Sequence, residues 1–99
     1  MTSRIGLQRL LTAYQALKDK KYAQAFDMFS ELRRDGMYEA CTHLGYMYQH
    51  GIERPIDENS AVEVYLDGVI HGVERCQVRI ASLLYLTKRY SEAADSMKF

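Results

Sequence analysis

Gly36 and Gly72 stand 36 residues apart, and the same interval separates Ala25 from Ala61, Phe29 from Tyr65 and Leu44 from Ile80. Ala61 and Ala93 are 32 apart. Self-similarity at such a period is the mark of a supersecondary unit that is copied and stacked, because one copy cannot bury its apolar face alone. In 99 residues there is room for three copies. The units are expected over about 4–36, 37–72 and 73–99, forming a single domain.

Each unit is helical. Apolar residues recur at three- and four-residue intervals, strict alternation is missing, and Pro55 is the single proline. Six helices are expected. They run from Arg4 to Lys18, Lys21 to Asp35, Met37 to His50, Asp57 to His71, Val73 to Thr87, and from Tyr90 onward. Gly36 and Gly72 fall where helices should stop, since glycine accepts the left-handed conformation that ends them. Asp57 is placed to cap the fourth helix, and Ser91 to cap a sixth. Pairing consecutive helices gives an all-α α-solenoid of three antiparallel helical hairpins. Ala25, Ala61 and Ala93 would let paired helices approach closely. Phe29, Tyr65 and Met97, four residues later in each case, would fill the space between hairpins.

The middle unit carries Leu44-Gly45-x-x-Tyr48 and then Ala61-x-x-x-Tyr65, which resembles the tetratricopeptide pattern. Its connection is longer, and with Gly51, Asp57 and Gly72 it is similar to the Sel-one-like repeat family. The outer units are looser copies, Leu10-Leu11-x-x-Tyr14 with Ala25-x-x-x-Phe29, and Ile80-Ala81-x-x-Leu84 with Ala93-x-x-x-Met97. Glu53 stands where the family prefers a glycine, Val64 replaces a usual aromatic, and Gly68-Val69 replaces paired alanines. The resemblance implies a right-handed superhelix and an adaptor or scaffold with a curved binding face. It implies no catalytic residues.

Charge is balanced overall, with 13 basic and 13 acidic residues, so nothing global points to nucleic acid or to a membrane surface. Locally it is uneven. Residues 1–36 hold seven basic against four acidic, 37–72 one against six, and 73–99 five against three. An acidic middle between basic ends favours docking of neighbouring units and a weak homodimer through a terminal hairpin. Met97 and Phe99 would bury there or against the fifth helix. The N-terminal residues do not read as a leader, because Gln8 and Arg9 break the apolar run. No apolar stretch approaches spanning length. With two cysteines and no disulfide framework, the chain reads as cytoplasmic.

Chemical motifs are sparse. No phosphate-cradling loop, zinc-protease motif or nucleophile elbow occurs. His43 and His50 share a helix face but lie about 10 Å apart along it at 1.5 Å per residue, too far for one metal. Cys41 and Cys76 read as small buried apolar residues. No enzyme activity, cofactor or metal is therefore expected.

The expected function is a non-catalytic protein–protein interaction module that holds a protein or peptide on its concave face. The alternative is a small inhibitor or immunity-type protein that neutralises one cognate effector. The first, third and fifth helices would line the groove, with Gln8, Thr12, Thr42, His43, Tyr46, Gln49, Arg75, Arg79 and Ser82 as partner-binding candidates. Tyr46 and Tyr85 lie off the core face, and tyrosine is favoured in binding hot spots. Arg75 and Arg79, one turn apart, could grip a peptide carboxylate.

Overall fold

The structure, a computed structural model, describes residues 4–96 and their side chains as far as Tyr85. All the regular structure in it is helical: α1 Arg4–Lys18, α2 Tyr22–Arg34, α3 Ala40–His50, α4 Glu58–Ile70 and α5 Glu74–Ser96. Helices α1 with α2 and α3 with α4 pack as hairpins, α3 also packs on α2, and α5 packs on α4 and α3. Thus α1, α3 and α5 make one layer and α2 and α4 the other.

One device ends each of the first four helices. A left-handed residue follows the helix, namely Lys20 (φ 62°), Gly36 (φ 92°), Gly51 (φ 65°) or Gly72 (φ 83°). The next amide then donates back five residues. Lys21 bonds the Ala16 carbonyl, Met37 that of Leu32, Ile52 that of Met47 and Val73 that of Gly68, at 2.8–3.0 Å. These bonds satisfy carbonyls that the helix end leaves open. At the start of α4, Asp57 Oδ1 accepts from the Ser60 amide at 3.0 Å, and the Ser60 hydroxyl donates to Oδ2 at 2.7 Å.

The expected break before Tyr90 is absent. α5 runs through it for 23 residues, giving five helices among the described residues where six were expected, and Ser91 lies inside α5 rather than capping a new helix. Nothing between Leu84 and Tyr90 is a glycine or proline, so no residue there compels the helix to stop. The contacts expected of Ala93, Met97 and Phe99 lie outside the described side chains.

The connection from α3 to α4 is held by Arg54. Its guanidinium lies 3.3 Å from the Phe26 ring centroid and 5.3 Å from that of Tyr48, while its Nε is buried without a hydrogen-bond partner. Ring faces here replace the water a guanidinium loses. The preceding residue, Glu53, has a left-handed φ of 61°. A side chain in that region costs about 1–2 kcal/mol, and glycine removes the cost while loosening the unfolded chain by up to about 1 kcal/mol. Glu53→Gly is therefore expected to stabilise by about 0.5 kcal/mol, a rise of roughly 2–4 °C for a chain this size. A melting scan checks it; a fall in melting temperature would show that the Glu53 side chain is held by something beyond its backbone.

Small residues let the layers close. A Cβ added at Gly45 would lie 2.6 and 2.8 Å from Tyr65 ring atoms, and one at Gly68 would lie 2.9 Å from Cys76 Cβ and 3.1 Å from Cys41 Cβ. Ala13, Ala25, Ala40 and Ala61 are fully buried with Phe29 and Tyr65. Among the described residues no helix is long and apolar enough to cross a membrane.

Candidate functional site

The layer of α1, α3 and α5 presents a face that is aromatic and basic. Glu39, the residue before α3, and His43, Tyr46 and His50 on it fall at four-, three- and four-residue steps, which puts them in one stripe. On α5, Arg75, Arg79 and Ser82 form the adjacent stripe, all exposed. On α1, Tyr14 leans toward α3, with Leu11 and Leu7 exposed one and two turns before it.

His43 sits at the centre. Its ring meets Tyr14 edge-on at 4.7 Å and Phe29 at 5.3 Å. Burial, and then the positive charges of Arg75 and Arg79, hold its pKa below the ordinary 6.5. Below about pH 6.5 the unfolded chain takes up a proton here that the folded chain resists, so stability falls as pH falls through that value and is fully present above it. The slope is bounded by about 1.4 kcal/mol per pH unit for one proton. Urea titrations at pH 7.5 and 5.5 are expected to show this loss, and His43→Gln should reduce it. An equal loss in the variant would assign the effect to other groups.

Beside His43, the Arg79 guanidinium lies 5.1 Å from the Tyr46 ring centroid, and Tyr46 leans on His50 at 4.2 Å. Among the described residues neither Arg75 nor Arg79 has a carboxylate within ion-pair distance. The other two arginines nearest carboxylates are engaged, Arg33 with Asp67 and Arg9 with Asp35, each at 2.8 Å. Between α1, α3 and α5 opens a cleft of about 640 Å³ lined by Leu10, Tyr14, Glu39, Thr42, Val73 and Arg75, among others.

The structure brings His43, Tyr46, Arg75, Arg79 and Ser82 onto this face, sets Thr42 in the floor of the cleft, and places the other three candidates elsewhere. Thr42 is buried, because α5 arrives over it and its hydroxyl shares a 3.4 Å hydrogen bond with Cys76 Sγ. Gln49 is half-buried and accepts from the Tyr65 hydroxyl at 2.9 Å, so it positions Tyr65. Gln8 and Thr12 line a separate groove of about 230 Å³ with Met28 and Glu31 of α2. They lie on the side of the first hairpin between α1 and α2, away from α3. Tyr14 and Leu11 hold the α1 edge of the face instead. Tyr14 aligns with Tyr48 in the repeat pattern, yet Tyr48 packs back on Phe26 at 5.3 Å while Tyr14 packs forward on His43.

Both cysteines are fully buried. Burial, reinforced by neighbouring Cys76 and Asp67, pushes the Cys41 thiol up to about 12. Burial likewise raises Cys76 against the lowering effect of the Thr42 hydrogen bond. Protonated, enclosed thiols are poor nucleophiles. Among the described residues no three His, Cys, Asp or Glu side chains are grouped to share a metal ion. Set against known proteins, the chain matches no family model, no curated sequence and no solved structure.

Proposed function

We propose that the chain is a short helical-repeat module of the tetratricopeptide and Sel-one-like kind. It acts as a non-catalytic adaptor that binds a protein or peptide on the face of α1, α3 and α5. The observation that carries this reading is the Tyr46–Arg79 pair beside a second arginine, Arg75, with no carboxylate within ion-pair distance of either guanidinium among the described residues. A planar guanidinium presents paired donors that match a carboxylate. Tyrosine adds rigid area at small entropic cost, and exposed Leu7 and Leu11 would take an apolar side chain. The partner segment is therefore acidic with an apolar neighbour.

The test is affinity capture from the cells that make the protein, with partner identification, using the wild-type chain and the double variant Tyr46→Ala, Arg79→Ala. Both side chains are exposed, so the fold should hold, and the helical circular dichroism should match wild type. Hot-spot residues of these types contribute upwards of about 2 kcal/mol each. Such losses are not additive, so the expected floor is that of one residue: the double variant should bind its partner at least about thirtyfold more weakly, at 1.4 kcal/mol per tenfold. Undiminished binding would remove this face from the account.

A further inference from the structure

Residues 88–97, Lys-Arg-Tyr-Ser-Glu-Ala-Ala-Asp-Ser-Met, repeat residues 20–29, Lys-Lys-Tyr-Ala-Gln-Ala-Phe-Asp-Met-Phe, at an interval of 68. Lys20, Tyr22, Ala25 and Asp27 recur unchanged as Lys88, Tyr90, Ala93 and Asp95, and Lys21, Gln24 and Phe29 recur as Arg89, Glu92 and Met97. Residues 20–29 form the turn and the first part of α2, the second helix of a hairpin. Residues 88–96 instead continue α5.

The same interval compares the two first helices. Leu10, Ala13 and Ala16 of α1 are 6%, 0% and 6% exposed, closed beneath α2. Their counterparts on α5 are Val78, Ala81 and Leu84. Val78 is 66% exposed, Leu84 54%, and Ala81 is exposed as well. In the acceptor layer, Leu66 and Ile70 of α4, one turn apart, are 45% and 75% exposed. The opposite side of α5 is satisfied, since Cys76, Ile80 and Leu83 are buried against the preceding unit. The face left open on α5 is thus the one a hairpin partner would cover, and the sequence of that partner lies in the same helix, pointing away.

We propose that a second copy of this chain closes the face by a reciprocal exchange, the end of α5 from each copy serving as the second helix of the other's third unit. Length supports it. At 1.5 Å per residue, 23 residues of α5 span about 35 Å against about 20 Å for the 13 residues of α4. Antiparallel pairing about Tyr85, the middle of α5, lays Tyr90–Ser96 of one copy along Glu74–Ile80 of the other. That is the direction a hairpin partner would run. The hinge is Lys88. Its counterpart Lys20 turns left-handed at φ 62°, a conformation that costs a non-glycine residue about 1–2 kcal/mol. Staying helical at Lys88 avoids that cost, and exchanging an identical element recovers the same burial between copies.

Light scattering on the full chain, from low to high micromolar, tests it with two variants. Wild type should reach the mass of two chains. Leu66→Glu with Ile70→Glu should return it to one chain with the helical signal kept, because both positions are exposed within a single copy. A Gly-Gly insertion between Lys88 and Arg89 relieves the turn, so α5 folds back on its own body. That variant should be monomeric and melt higher than the glutamate variant. A wild-type monomer at every concentration would overturn the proposal. So would a dimer indifferent to the glutamates, or one that survives the insertion.

Discussion

Truncating Tyr65 to alanine is expected to remove about 3–5 kcal/mol of stability, the range for deleting a fully enclosed large aromatic side chain. Tyr65 is 0% exposed. It lies over Gly45 in the facing helix and its hydroxyl is anchored on Gln49 at 2.9 Å. A chain of this size has roughly 5–15 kcal/mol in all, so the variant should be partly unfolded near 37 °C. Tyr65→Phe leaves the ring and loses one hydrogen bond, about 1 kcal/mol. Urea unfolding of the three proteins measures both steps. A loss under about 1 kcal/mol for alanine would mean that the α3–α4 seam is not closed around this ring.

Gly68→Ala is the second large effect, and its sign runs against helix propensity. On an open helix surface the change stabilises by about 1 kcal/mol. Here the new methyl would meet Cys76 Sγ, and would stand 2.9 Å from Cys76 Cβ and 3.1 Å from Cys41 Cβ. A thiol can rotate aside, but two Cβ atoms move only with their helices. Overpacking of this kind costs about 1–3 kcal/mol, so a net loss of up to about 2 kcal/mol is expected. Cys76→Ala removes one of the clashing atoms, and the double variant should lose less than the two single losses combined. A stabilising Gly68→Ala would show that α3, α4 and α5 do not meet as closely as they are placed.

Helix endings were legible where a residue dictates them. Gly36 and Gly72 each supply a left-handed turn, and α1 through α4 begin and end within three residues of the positions their periodicity indicates. The end of the fifth helix was not, because Lys88 offers no backbone compulsion either way. Packing decides such a position, and the deciding surface belongs to another element. The exposed stripe of His43 and Tyr46 on α3 and of Arg75, Arg79 and Ser82 on α5 was legible from helical spacing. The α1 edge of the face was not. Pattern matching aligns Gln8 and Thr12 with inner-helix positions, but in the fold they line a groove against Met28 and Glu31 of α2, and which side of α1 meets α2 is set by packing that spacing alone does not give. Thr42 illustrates the converse. A polar residue beside the core stripe reads as surface until α5 covers it and Cys76 takes its hydroxyl.

The central claim is that a protein partner sits on the face of α1, α3 and α5, and site-specific photocrosslinking tests it most directly. A benzophenone side chain at position 46, introduced in the cells that make the protein, is compared with one at position 63. Glu63 is exposed on α4, in the opposite layer. Irradiation is expected to trap a partner of defined mass from position 46 and none from position 63. Trapping from position 63 with none from position 46 would contradict the claim, as would equal trapping from both.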